Sequence, residues 1–162
     1  MKSKKVLFLV QSSMSAAIYV VLIYIFQPSS SGVIQVRVAE ALTILPMFTP
    51  AAIPGLTLGC FLGNLLTGSV ILDVVFGSLA TLIGALGSYG LRKFKFLVPL
   101  PPILANIIIV PWVLRYAYHV PDAIPYMMLT VGIGEVISCG ILGMLLMIGL
   151  NRYKNVIFKN NI

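Results

Sequence analysis

The chain is a succession of apolar runs separated by three short basic clusters. This arrangement decides what it can fold into. Lys2, Lys4 and Lys5 precede the first run, Arg92, Lys93 and Lys95 fall between two others, and Arg152, Lys154 and Lys159 follow the last, so nine of the eleven basic residues occupy three places. Runs of this length and bias are the mark of a multi-pass membrane protein, whose loops on one side carry the Lys and Arg. With 59% hydrophobic residues, 9% charged residues and a mean hydropathy of +1.05, the chain lies far from an ordinary soluble domain. The net charge of +7 would suggest nucleic acid in a soluble chain. Here its confinement to loops points to membrane topology instead, and no nucleic-acid partner is expected.

Six spans are read within one integral membrane domain covering residues 1–162, at approximately 6–26, 36–48, 50–66, 69–91, 99–116 and 124–150. This all-α arrangement puts both termini and the 92–95 loop on one side, the cytoplasmic side of a bacterial plasma membrane by the positive-inside rule. Arg37 and Arg115 fall opposite. The first run is too long for a signal peptide and lacks a small-residue cleavage site, so it is kept as a span. The second and third are shorter than the roughly 20 residues that cross alone, and require tilt or shelter from neighbours. Thr49-Pro50 reads as a helix cap followed by proline at the first helical position. Behind it, Gly55, Gly59 and Gly63 fall at four-residue spacing.

Polar groups inside apolar spans are costly and point to function. Glu135 lies eleven residues from the outer start of its span, and Asn106 eight from the inner start of its own. At about 1.5 Å per residue both sit near the midplane and can face each other. Glu135 is therefore the first candidate ligand group, with a buried hydrogen bond to a neighbouring backbone as the plain alternative. Gly132 and Gly134 just before it admit a close backbone or ligand approach. Asn106 offers both a donor and an acceptor, suited to a heterocycle edge or equally to an interhelical hydrogen bond.

Arg37 and Glu40, at i and i+3, are expected to form an ion pair at the outer mouth or to touch ligand directly. Asp73 reads as a helix N-terminal charge or a ligand group. Trp112, Tyr116, Tyr118 and Tyr126 form an outer aromatic belt from which one or two residues could stack on a planar ligand. Ser12-x-x-x-Ala16 and Ser13-x-x-x-Ala17 make a small-residue strip, serving either the protein's own helices or a separate membrane subunit.

Cys60 and Cys139 have no second cysteine or histidine at ligand spacing, and neither a disulfide nor a metal site is expected. No phosphate loop, zinc-protease motif or nucleophile elbow is present, so no enzyme is expected. No inverted repeat and no string of intramembrane acids supports a self-sufficient transporter. A stand-alone permease and a structural membrane protein remain the rival classes.

The segments QVRVAEALTILPMFTPAAIPGLTLGC (Gln35 to Cys60), ILDVVFGSLATLIGA (Ile71 to Ala85), PLPPILAN (Pro99 to Asn106) and VGIGEVISC (Val131 to Cys139) resemble the QueT family of queuosine-precursor transporters. The likeness covers most of residues 6–150 and is weakest in the loops at 27–33 and 115–125. It implies a six-helix bundle of the kind found in S components of energy-coupling-factor (ECF) transporters. Such proteins capture substrate for a transmembrane T component and two ATPase subunits, so this chain would need no cofactor of its own. The resemblance further implies that Ser12, Ala16 and Ala17 dock the T component, and that an outward pocket lies among spans four to six. The ligand would be queuine or a related 7-deazaguanine; another vitamin or nucleobase is the near alternative. Glu135 would then accept the two adjacent N–H groups of a guanine-like edge. Asn106 would address its acceptors, Trp112 would stack, and Asp73 or Glu40 would meet a cationic tail.

Overall fold

A computed structural model describes residues 2–30 and 34–158; Lys159 lies outside them. Among the described residues there is no strand. Six helical segments follow the expected order: α1 (Lys2–Ile25), a 3₁₀ segment (Val38–Met47), α2 (Ala52–Leu66), α3 (Ile71–Gly90), α4 (Leu100–Tyr116), and a continuous last helix. That last helix comprises α5 (Ile124–Glu135), a π-helical stretch (Val136–Leu142) and α6 (Gly143–Ile157). It continues to Ile157, beyond the expected end at residue 150.

Four of these segments are long and apolar enough to cross a membrane. The two short ones deviate from expectation for a local reason. The second segment winds as a 3₁₀ helix over ten residues, with Pro46 near its end, where its missing amide and ring stop the helix from continuing. At about 2 Å per residue it still reaches roughly 20 Å. The third segment begins two residues later than expected. Thr49 Oγ1 does accept an amide, that of Ala51 at 3.3 Å, but it also donates to Gln11 Oε1 at 2.9 Å. Thr49 thus ties the turn before α2 to α1, and Pro50 belongs to that turn.

Lipid supplies no hydrophobic drive between helices, so close approach between small residues holds the bundle together. Gly55, Gly59 and Gly63 form the strip on α2 that meets α1. A Cβ on Gly59 would lie 2.7 Å from Tyr19 Cβ and 3.0 Å from the Ala16 carbonyl, while one on Gly55 would strike the Ser12 carbonyl. The α1 strip expected to dock a partner is thereby divided. Ser12 and Ala16 pack inward on α2, and only the Ser13 and Ala17 row faces outward. A second close seam joins α3 to α4, where Gly84 lies against Pro102 and Gly87 against Pro101.

Neighbouring helices pack in chain order, while the 3₁₀ segment runs through the middle, touching α1, α3, the π-helical stretch and α6. The outside of the bundle is covered by exposed large apolar side chains, including Leu9, Leu86, Leu129 and Ile148. On a protein in water such a continuous coat would be an association hazard; in a bilayer it is the lipid face. At one end Phe48 stacks on Phe158, with ring centroids 5.3 Å apart, and Ser88 donates to the Val98 carbonyl at 2.8 Å. The described members of the basic clusters lie at this end. At the other end Gly68, at a φ of 75°, makes the tight turn from α2 into α3.

Replacing Gly59 by leucine is expected to destabilise the bundle by at least about 1–3 kcal/mol, as overpacking does. Thermal unfolding in detergent measures this, and a variant as stable as the parent would contradict the packing described.

Candidate functional site

The end of the bundle remote from the basic clusters contains a cavity of about 420 Å³. This is within the range of small-molecule sites. It is bounded by the C-terminal end of α1, residues 35–39, the α2–α3 turn, and the outer end of α4 with the loop after it. Spans four and five contribute Asp73, Val110, Val113 and Leu114 to it, whereas the last helix does not line it. The cavity opens between α1, α2, α3 and α4, because the short second and third segments leave room at that end.

Arg37, Asp73, Asn64 and Tyr118 supply the polar walls. The expected Arg37–Glu40 ion pair is not formed. Arg37 precedes the 3₁₀ segment with φ −93° and ψ 88°, an extended conformation, so the one-turn spacing of a helix does not apply. Arg37 Nη2 instead lies 4.0 Å from Asp73 Oδ1, and its Nη1 is buried with no hydrogen-bond partner. Asp73, in the first turn of α3, also accepts a hydrogen bond from the Tyr118 hydroxyl at 2.8 Å through Oδ2. Asn64 Nδ2 approaches the Asp73 carbonyl at 3.5 Å. The walls therefore carry one positive and one negative group with a spare donor, which suits a ligand of mixed polarity better than a simple ion.

Beneath this cavity lies a second polar group, fully enclosed. Glu40 is 1% exposed, Glu135 1% and Asn106 0%. Glu40 is thus at the centre of the bundle and not at its outer mouth. The Tyr19 hydroxyl donates to Glu40 Oε1, and Thr81 Oγ1 donates to the same oxygen at 3.3 Å. Cys139 Sγ lies 3.3 Å from Glu135 Oε2 and 3.4 Å from the Glu40 carbonyl. One carboxylate oxygen each of Glu40 and Glu135, together with the Cys139 sulfur, lie within 4.8 Å of one another. Asn106 sits against Glu135 and interacts with it through its side chain, but its amide makes no well-formed hydrogen bond. Glu40 Oε2 is likewise unpartnered.

Two features shape this cluster. Gly134 lets the Gln35 backbone pack directly on α5, where any Cβ would collide with it. Glu135 stands at the start of the π-helical stretch. Such wide turns mark functional sites in many helices.

Trp112 belongs to neither group. It is 46% exposed and stacks on Tyr116 at 6.2 Å, beside Leu72, Phe76 and Ile108 in an apolar outward groove. The structure therefore separates it from the polar cavity. Tyr19, Thr81, Asn64 and Cys139 were not singled out as site residues by sequence. The one available signal was Tyr19 itself, a phenol set deep in a span where the belt rule would place it at the edge.

A six-segment, all-helical membrane bundle with a polar cavity at one end defines a multi-pass membrane protein built to admit a small molecule. The family model described as QueT transporter matches residues 9–152, and the chain belongs to the QueT transporter family. No curated protein and no solved structure matches it.

Burial, and then the Asp73 carboxylate, raise the Tyr118 phenol above its ordinary value. A folded value above the unfolded one means that this pair's contribution to stability is complete below about pH 10 and is lost as the pH rises through the folded value. In Asp73→Asn the Tyr118 titration, followed by ¹³Cζ NMR, is expected to move down toward the ordinary tyrosine range. An unmoved titration would show that Asp73 does not act on Tyr118.

Proposed function

We propose that this chain is the substrate-binding S component of an ECF importer for queuosine precursors, queuine or a related 7-deazaguanine. Membership of the QueT family supports the class of cargo. The observation that carries the site is the 420 Å³ cavity at the outer end, walled by Arg37 and Asp73, with Arg37 Nη1 unpartnered. A 7-deazaguanine presents a carbonyl oxygen to which Arg37 can donate, and an aminomethyl-type tail is a cation that Asp73 can hold. The planar face then lies against the aliphatic wall and the Tyr19 ring, and not against Trp112.

On this reading the chain performs no chemistry and holds no cofactor. ATP is hydrolysed by two ATPase subunits, and a T component couples them to this chain. The outward row of Ser13 and Ala17 is the part of the small-residue strip left for that partner, Ser12 and Ala16 being engaged with α2. The basic end of the bundle, with both termini, faces the cytoplasm of a bacterial cell. An S component for another vitamin or nucleobase would share this architecture, whereas a stand-alone permease would transport without partners.

Purified protein in lipid nanodiscs is expected to bind 7-deazaguanine. Arg37→Gln is expected to weaken that binding about tenfold or more, the loss of roughly one charge-assisted hydrogen bond. Calorimetry measures both. Mass spectrometry of small molecules that co-purify with the protein provides an independent check: a bound pterin or thiamine would overturn the cargo assignment, and uptake by this chain in cells lacking any energy-coupling module would overturn the S-component role.

A further inference from the structure

We infer that the enclosed Glu40–Glu135–Asn106 cluster is the inner half of the binding site, with Glu40 reading the N–H edge of the base and Tyr19 closing the passage from the outer cavity. The inference rests on the 7-deazaguanine reading above and assigns the recognition that the outer cavity alone does not supply.

Tyr19 connects the two regions. Its side chain lines the outer cavity while its hydroxyl donates to Glu40 Oε1, so a single side chain separates captured ligand from the buried carboxylate. Ala39, next to Glu40 in the chain, lines the same cavity.

The cluster also carries unmet hydrogen-bonding capacity of a definite pattern. Buried polar groups are almost always partnered, and unpartnered ones call for an explanation. Here Glu40 Oε2 has no donor although the residue is enclosed, and Asn106, also enclosed, lies against Glu135 with no well-formed bond from its amide. Glu135 differs, since Cys139 already occupies its Oε2. Glu40 accepts from both Tyr19 and Thr81 at Oε1, which leaves Oε2 open to a further donor.

A 2-amino-pyrimidinone edge supplies the complement: two adjacent N–H donors and a carbonyl beside them. Once the Tyr19 hydroxyl swings away, both oxygens of Glu40 can accept that donor pair, with Asn106 Nδ2 available to the carbonyl. Glu40 is thus the specificity-determining residue, and Tyr19 positions the base by yielding its place on Glu40. No covalent step is involved.

The test compares 7-deazaguanine with 7-deazahypoxanthine, which lacks the exocyclic amine, on protein in nanodiscs. A site built to accept both donors rejects the analogue by at least about tenfold. Wild type is expected to show that preference, and Glu40→Gln to reduce it to within about twofold by removing the second acceptor. A folded Glu40→Gln protein that keeps the preference would overturn the assignment. Tyr19→Phe keeps the Cβ contact with Gly59 but removes the competing hydroxyl. Stopped-flow association of 7-deazaguanine is expected to accelerate severalfold in this variant, which tests the passage even if Glu40→Gln fails to fold. An unchanged rate would overturn the role of Tyr19. Wild type that binds both bases equally would refute Glu40 as the reader while leaving the cargo assignment standing; wild type that binds neither would refute the cargo assignment itself.

Discussion

A single buried carboxylate, that of Glu40, is the constraint to which the rest of the bundle conforms. Leaving a carboxylate in the middle of a membrane costs about 2.5 kcal/mol or more. The fold answers by bringing donors from two different helices, Tyr19 of α1 and Thr81 of α3, to one of its oxygens. The last helix adds Glu135 and Cys139 on the other side. The short 3₁₀ segment that carries Glu40 is consequently central and not peripheral, and its contacts with α1, α3, the π-helical stretch and α6 follow from that position.

Packing makes this arrangement possible. Bringing Tyr19 to Glu40 requires α1 to lie tightly against α2, and the glycine strip on α2 removes the side chains that would prevent it. At the opposite side, Gly134 allows the chain just before Arg37 to rest on α5, which fixes where the 3₁₀ segment begins. The outer cavity is the space left above these contacts. Its walls are charged but balanced, and its floor includes the side chain that closes off Glu40. In the site proposed above, capture at the mouth and recognition at the centre are two levels of one polar column.

Much of this was legible in the sequence. The apolar runs and the three basic clusters give the order of the helical segments, and the four-residue glycine spacing marks the tightest seam. Glu135 and Asn106 were placed together by counting residues from opposite faces, a calculation that needs only regular helices. The errors arose where helices are not regular. Arg37 and Glu40 were paired by a spacing rule that presumes helix at both positions, and Arg37 is extended. The pocket among spans four to six came from the family resemblance; the cavity itself draws on spans four and five but also on the first three segments, which no residue pattern marks. Trp112 was drawn toward the ligand because an aromatic at a rim can turn either way, and only tertiary packing shows that it faces outward. Thr81 carries no pattern at all, and Tyr19 only its depth in a span; they matter because of what lies across from them.

The most direct measurement is an experimental structure of the protein with 7-deazaguanine bound. The ring is expected in the column between Arg37 and Asp73 above and Glu40 below, in contact with Tyr19. A ring bound in the outward groove against Trp112 and Tyr116, with Arg37, Asp73 and Glu40 untouched, would contradict the polar column as the site.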